Sequence, residues 1–368
     1  MTRIALTGAS GFIGKNVRFR LDELKIPVVV IGHDLRGTTL EQALTGADVV
    51  VHLAGVNRPK EEEEFAAGNA GMTQAMAGAL RSLGKAAPVI YASSTQAGND
   101  TPYGLSKRAA EDILVDYGRR SGAPIHALRL PNVFGKWSRP NYNSVVATFC
   151  HNIARDLPIA ISDPSAPLEL IYVDDVVEII VALIAQPARR SDDMLRPTYS
   201  TTVGALAEQI KAFRDSRRSL LVGPVGTGLA RALHATYLSF LDATHFAYDL
   251  PKHTDPRGTF VEMLRTPQSG QVSFFTANPG ITRGGHYHHS KTEKFLVVSG
   301  QALFRFRNIV TGEYAEIQVR AEDTKVVETV PGWSHDVTNT GGDTLICMLW
   351  ANELFDPERP DTFSAKVP

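Results

Sequence analysis

Short apolar runs alternate with longer stretches of helical periodicity through the first half of the chain. The runs at 28–31, 49–53, 89–92 and 125–130 are near-continuous in apolar residues, as strands covered on both faces must be. Between them, 14–24, 71–83 and 106–119 carry the helical spacing, so the pattern predicts βαβ units and a doubly wound parallel sheet. From about Phe134 the alternation loosens. Segments 142–156, 173–186 and 202–213 predict helices between Pro- and Asp-rich turns, and 229–241 predicts a closing helix. Beyond about Ala243 the period changes. Segments 260–264, 271–277, 294–298, 302–307, 316–319, 325–329 and 345–351 are short, β-rich and punctuated by Gly and Pro, which predicts a sandwich or barrel. The boundary is expected between Leu241 and Pro256, dividing the chain into domains 1–243 and 244–368.

A chain of 368 residues exceeds what one core usually serves, in keeping with two domains. The formal net charge of -1 and a pI near 6.8 provide no basic footprint, so neither nucleic acid nor a membrane surface is expected as partner. The most apolar later stretch contains Asp174, Asp175 and Glu178, which argues against a membrane span. Cys150 and Cys347 lie far apart, so no disulfide framework is expected and a reducing compartment fits. Met1 runs almost directly into a β-like stretch, Ile4-Ala5-Leu6, with no room for a signal peptide; a cytoplasmic location is expected.

Thr7-Gly8-Ala9-Ser10-Gly11-Phe12-Ile13-Gly14 follows the first strand and opens a helix. Glycines at this spacing permit a tight turn, close approach of a pyrophosphate, and helix–strand contact, while the helix N-terminus faces the phosphates. Gly8, Gly11, Phe12, Ile13 and Gly14 are therefore candidate dinucleotide contacts. At the end of the second strand, Ile31-Gly32-His33-Asp34-Leu35-Arg36 places Arg36 where it would favour a 2′-phosphate, hence NADP. The alternative is that Asp34 grips the ribose and NAD binds.

Tyr103 and Lys107 are four residues apart on a predicted helix face, so the ammonium is expected beside the phenol, lowering its pKa. A tyrosine so placed suits proton transfer to a carbonyl oxygen during hydride transfer. Ser93-Ser94-Thr95 directly follows a predicted strand and offers a hydroxyl to hold that oxygen.

Together these parts resemble the extended short-chain dehydrogenase/reductase family over residues 1–240. The resemblance implies a Rossmann-type sheet with a small substrate lobe, Ser94 as the hydroxyl with Thr95 as rival, Tyr103 as acid/base, and Lys107 as its helper and ribose contact. It also places Leu53 and Ala54 beside the cofactor, and the stretches 130–135 and 172–176 around a nucleotide-sugar pocket. Simple helix capping is an equal reading for Asp174 and Asp175.

In the β-rich half, His286 and His288 are two apart and would share one face of a strand. Glu293 returns after a short turn, and His335 follows Pro331-Gly332-Trp333-Ser334 on a distant strand. Three imidazoles and a carboxylate suit zinc or another divalent transition metal. The spacing resembles the cupin family, a double-stranded β-helix, over residues 255–355, with one departure: Pro331 and Gly332 are adjacent. Asp255-Pro256-Arg257-Gly258 and Thr282-Arg283-Gly284-Gly285-His286-Tyr287 are similar to the dehydrorhamnose epimerase branch, in which the residue equivalent to His286 is a metal-free base. His286 thus stands between ligand and base.

The order of domains, with the stretches 48–59 and 286–295, resembles a family of bifunctional capsular polysaccharide enzymes over nearly the whole chain. That resemblance implies a UDP-sugar substrate. The cupin would epimerise C3 of a UDP-4-keto-6-deoxy-N-acetylhexosamine, and the N-terminal domain would reduce the C4 ketone with NADPH, toward UDP-N-acetyl-L-fucosamine. A homodimer is expected. Three alternatives stay open: an epimerising cupin without metal, a non-catalytic dimerisation or sensing cupin beside a lone reductase, and a dehydratase or epimerase that recycles its cofactor. Against the last, Gln96 and Ala97 follow Thr95 where an Asp-Glu pair would be usual.

Overall fold

The computed structural model describes residues 2–32, 38–189 and 194–368. Strands β1 (Ile4–Thr7), β2 (Val28–Ile31), β3 (Val49–His52), β4 (Val89–Ser94) and β5 (Ile125–Leu130) form one sheet in the order β2-β1-β3-β4-β5. Every pairing in it is parallel. The apolar runs of β1 and β3 are buried throughout, which is why they read as continuous rather than alternating.

Helices α1 (Phe12–Glu23), α2 (Thr38–Thr45), α3 (Glu63–Phe65), α4 (Met72–Ser82) and α5 (Pro102–Ser121) alternate with these strands, and a π-helical turn, Ala66–Gly71, leads into α4. One core joins α2, α4 and α5 to the sheet through Leu44, Met76 and Leu114. A second joins α1 and a later helix, Val173–Ala185, through Val17, Leu21 and Ile180. The sheet is thus covered on both faces. The connection from β1 runs to β2 and the connection from β3 runs the other way to β4, which makes the β1–β3 boundary a switch point at which such sheets hold ligands beyond their carboxyl ends. A small sheet of β6 (Asn132–Phe134), β7 (Pro167–Tyr172) and β8 (Tyr199–Thr202) accompanies it.

The chain divides into two compact units, residues 1–211 with 232–241, and 212–231 with 242–368. Segment 212–231, placed by sequence in the first domain, belongs to the second unit. Backbone bonds explain this: Arg265 donates to the Leu220 carbonyl (2.8 Å), and Val222 donates to that of Arg265 (2.8 Å).

The second unit holds two antiparallel sheets. One comprises β9 (His253–Asp255), β10 (Gly258–Thr266), β11 (Gly270–Ala277), β13 (Glu293–Ser299), β16 (Val326–Glu328) and β18 (Leu345–Ala351). The other comprises β12 (Thr282–Tyr287), β14 (Gln301–Asn308), β15 (Tyr314–Arg320), β17 (Trp333–Asn339) and β19 (Phe363–Ser364). Phe275, Phe295 and Cys347 of the first sheet meet Phe304, Phe306 and Val337 of the second in one core, the layered arrangement of a cupin-like sandwich. Among the described residues, no helix is long and apolar enough to cross a membrane. Both cysteines are buried and free.

Candidate functional site

Beyond the ends of β1, β3 and β4 lies a cavity of about 700 Å³ lined by the glycine loop, the turn after β3 and the start of α5. Gly8 has φ 68°, and a Cβ there would lie 2.6 Å from the Ala54 nitrogen. A Cβ on Gly14 would lie 2.0 Å from the Gly8 carbonyl oxygen. Both positions therefore exclude any side chain. Thr7 ties the two loops together, its hydroxyl accepting from the Leu53 and Ala54 N–H groups at 3.1 and 3.0 Å. Gly11 caps α1 without a side chain in the way, so the first N–H groups of a 12-residue helix open on the cavity. This loop can hold a dinucleotide.

Helix α5 starts at a well-made cap: Thr101 accepts from Gly104 N–H at 3.1 Å, and Pro102 opens the first turn. Tyr103, Lys107 and Glu111 then recur every fourth residue on one face. The Ser94 hydroxyl hydrogen-bonds the Tyr103 phenol. Strand alternation turns the preceding Ser93 the other way, where its hydroxyl donates to Glu111 Oε1 at 2.5 Å. Glu111 is buried and bound by Arg129 through two bonds of 3.0 and 2.7 Å.

Lys107 donates from Nζ to the Ala92 carbonyl at 2.9 Å and sits 5.9 Å from the Tyr103 ring centroid. Burial pulls its pKa down to about 8, against the opposing charge of Glu111. Burial also pushes the Tyr103 phenol up, with the Ser94 bond only partly offsetting it. This corrects the expectation that Lys107 would lower it. An ammonium held by a strand carbonyl does not outweigh desolvation of the phenol, and the tyrosine stays protonated.

In the second unit, ligand atoms of His286, His288, Glu293 and His335 all lie within 4.8 Å of one another. Gly284 and Gly285 have φ 93° and 79°, and the β12–β17 register shifts between Gly284 and His286, a bulge that re-aims His286. His288 lies just past the end of β12 rather than on the strand, yet its ring is 5.0 Å from that of His286. Glu293 opens β13 in the facing sheet, and His335 sits on β17.

The donor set fits a cation. His288 Nδ1 lies 2.6 Å from the Asp361 carbonyl, which can only accept, so Nδ1 carries a proton and Nε2 is the nitrogen left to face a metal. That Nε2 is 3.2 Å from Glu293 Oε2, and His335 Nε2 is 3.4 Å from the same oxygen. His335 Nε2 is buried without a hydrogen-bond partner. Two imidazole nitrogens and a carboxylate converging on one point need protons or a cation between them, and the set suits a divalent cation. Burial first, and then the nearby His335, lowers His286 to about 4. Burial disfavours the Glu293 carboxylate, but the neighbouring His288 and His335 outweigh it and hold the acid below the usual range.

Residues 4–195 match the NAD dependent epimerase/dehydratase family, and residues 253–363 match the polysaccharide biosynthesis C-terminal domain. The chain is 54% identical to the UDP-2-acetamido-2,6-beta-L-arabino-hexul-4-ose reductase of Pseudomonas aeruginosa, over 99% of both chains. It superposes with a TM-score of 0.92 and 38% identity on the capsular polysaccharide assembling protein CapF from Staphylococcus aureus, covering 99% of this chain and 100% of that one. The chain belongs to the CapF family. A CapF structure with the inhibitor 3-isopropenyl-tropolone is also similar, at a TM-score of 0.87 and 34% identity over 100% of both chains.

Within this CapF-family fold, Gly8, Gly11, Phe12, Ile13, Gly14, Leu53, Ser94, Tyr103 and Lys107 all border one cavity, with Ala54 packed against Gly8. Thr95 borders it too, but the hydroxyl bonded to Tyr103 is that of Ser94. Arg36, with His33 and Asp34, lies outside the described residues. Asp174 pairs with Lys136, and with Asp175 it forms the acidic first turn of its helix, whose N-cap makes no side-chain bond. Sequence reasoning missed Glu111, although its place four residues after Lys107 was a usable signal. It also missed Asp361, for which no local pattern exists.

Proposed function

We propose that this chain is a bifunctional nucleotide-sugar enzyme. The second unit epimerises C3 of a UDP-4-keto-6-deoxy-N-acetylhexosamine, and the first unit reduces the C4 ketone with NADPH, toward UDP-N-acetyl-L-fucosamine. The modules are those read from the sequence, 1–243 and 244–368, with segment 212–231 packed into the second unit, acting in the cytoplasm as a homodimer. The observation that carries the reading is the presence, on one chain, of a Ser94–Tyr103–Lys107 constellation in a dinucleotide cavity and a partly buried three-histidine, one-carboxylate cluster. The relative named as a hexul-4-ose reductase supports the ketone as substrate.

Bound NADPH supplies the hydride. The chain's part is to hold the C4 oxygen with the Ser94 and Tyr103 hydroxyls and to give it the phenolic proton; the ammonium of Lys107 then stabilises the phenolate left behind. A phenol kept protonated by burial is suited to this direction of proton flow. Arg36 is proposed to select the 2′-phosphate of NADP. In the second unit His286, His288, Glu293 and His335 would hold zinc or a similar ion, which supplies Lewis acidity toward the same ketone. The C3 proton is made acidic by that carbonyl; removal and return on the opposite face inverts the centre. Reduction then consumes the epimerised ketone and makes the sequence directional.

Solvent deuterium incorporation at C3 tests the division of labour. His286→Asn is expected to abolish it, whereas Tyr103→Phe leaves it running while stopping NADPH oxidation. Chelation should stop exchange and zinc restore it; exchange surviving in metal-free protein assigns His286 as a base instead. Exchange that depends on Tyr103 and ignores His286 would make the cupin non-catalytic and overturn the scheme.

A further inference from the structure

Residues 360–365 lie far along the chain from His286 and His288 yet hold both. Asp361 takes φ 37°, in the left-handed region that aspartate tolerates better than most side chains. From there it faces the 288–291 loop twice. Its carbonyl accepts from His288 Nδ1 at 2.6 Å. Its carboxylate accepts from the N–H groups of His289 (2.9 Å), Ser290 (2.9 Å) and Lys291 (2.8 Å), and from the Ser290 hydroxyl at 3.0 Å.

Neighbouring residues complete the attachment. Buried Lys291 donates from Nζ to the Pro360 carbonyl at 2.9 Å and to the Thr362 hydroxyl at 2.8 Å. β19 pairs with β12 so that Ser364 opposes His286 and Phe363 opposes Tyr287. Ala365 N–H reaches the Gly285 carbonyl at 2.9 Å. Loop backbone that would otherwise need water is thus fastened by one carboxylate. The same residue's carbonyl accepts from His288 Nδ1, which keeps the proton on that nitrogen and thereby directs the other toward Glu293.

We propose that Asp361 is a positioning residue for the histidine–glutamate cluster: it fixes the ring orientation and tautomer of His288 and so sets the affinity of the cluster for a divalent metal. The inference rests on the metal reading of that cluster given above. Groups behind metal-binding histidines govern affinity by about 10- to 100-fold, because a ligand free to rotate must be ordered again on binding.

The test is a zinc titration of the full chain against a chromophoric chelator. Asp361→Gly removes the carboxylate but keeps the left-handed backbone and its carbonyl. Asp361→Asn keeps one acceptor but turns an amide toward the Ser290 and Lys291 N–H groups. Both should bind zinc about 10-fold more weakly or worse, with NADPH binding unchanged. Thr362→Val, which loosens the same segment without touching Asp361, should stay within about twofold. Zinc affinity within about twofold in both Asp361 variants would overturn the proposal, as would an equal loss in Thr362→Val, which would reduce Asp361 to general support. If the unsubstituted chain takes up no zinc in this titration, the metal reading itself fails.

Discussion

Lys107 carries a charge that the fold opposes, and replacing it with methionine should stabilise the protein while disabling it. The residue is 6% exposed, and burial lowers its pKa from 10.5 to about 8 despite the counteracting charge of Glu111. That gap corresponds to about 3 kcal/mol by which folding disfavours the ammonium. The folded value lies below the unfolded one, so the folded chain holds fewer protons between them. The penalty is complete below about pH 8 and is relieved as pH rises from there toward 10.5. Lys107→Met keeps the apolar stem but loses the 2.9 Å bond to the Ala92 carbonyl, worth about 1 kcal/mol. The net expectation is a gain of about 2 kcal/mol at about pH 7 that vanishes by about pH 10. Urea unfolding followed by far-ultraviolet circular dichroism at both pH values measures it. A variant less stable than its parent at about pH 7, or a gain unchanged at about pH 10, would refute the reasoning. Ketone reduction should fall in either case.

Tyr103→Phe should leave NADPH binding intact by fluorescence titration while the rate of NADPH oxidation falls by about two orders of magnitude, the usual scale of a lost acid; near-normal turnover would remove the phenol from the reaction. Gly14→Ala drives a Cβ to 2.0 Å from the Gly8 carbonyl, and backbone on both sides cannot yield cheaply. It should abolish dinucleotide binding and destabilise the chain by about 1–3 kcal/mol in the same urea assay.

The first half of the fold was legible because central strands such as β1 and β3 are buried on both faces and read as apolar runs. β12 and β17, which carry His286 and His335, did not emerge as strands from the hydrophobic pattern. Thr282-Arg283-Gly284-Gly285 and Trp333-Ser334-His335-Asp336 place polar groups and glycines where a strand would show apolar alternation: the glycines form the bulge before His286, and Asp336 is bound by Arg305. The cluster itself was legible from residue type and spacing. Spacing also brought Tyr103 beside Lys107, but it contained no measure of burial, and burial decided the direction in which the phenol moved. Segment 212–231 reads as helix and loop like its neighbours; its backbone bonds to Arg265 and the Arg217 bond to the His245 carbonyl reveal which unit it joins.

Helix α5 has a consequence for how the two sites tolerate insertions and deletions. Tyr103, Lys107 and Glu111 are graduations on one rigid rod, about 6 Å apart. Deleting a single residue between them would turn everything beyond by about 100° and swing Glu111 away from Ser93 and Arg129. The first site is therefore brittle to changes of length inside one helix. In the second, strand register and the Asp361 clasp set the geometry of groups drawn from several segments. Turns such as 309–312, between β14 and β15, can lengthen without moving a histidine. Natural length variation among relatives should accordingly spare α5 and accumulate in the hairpin ends of the sandwich.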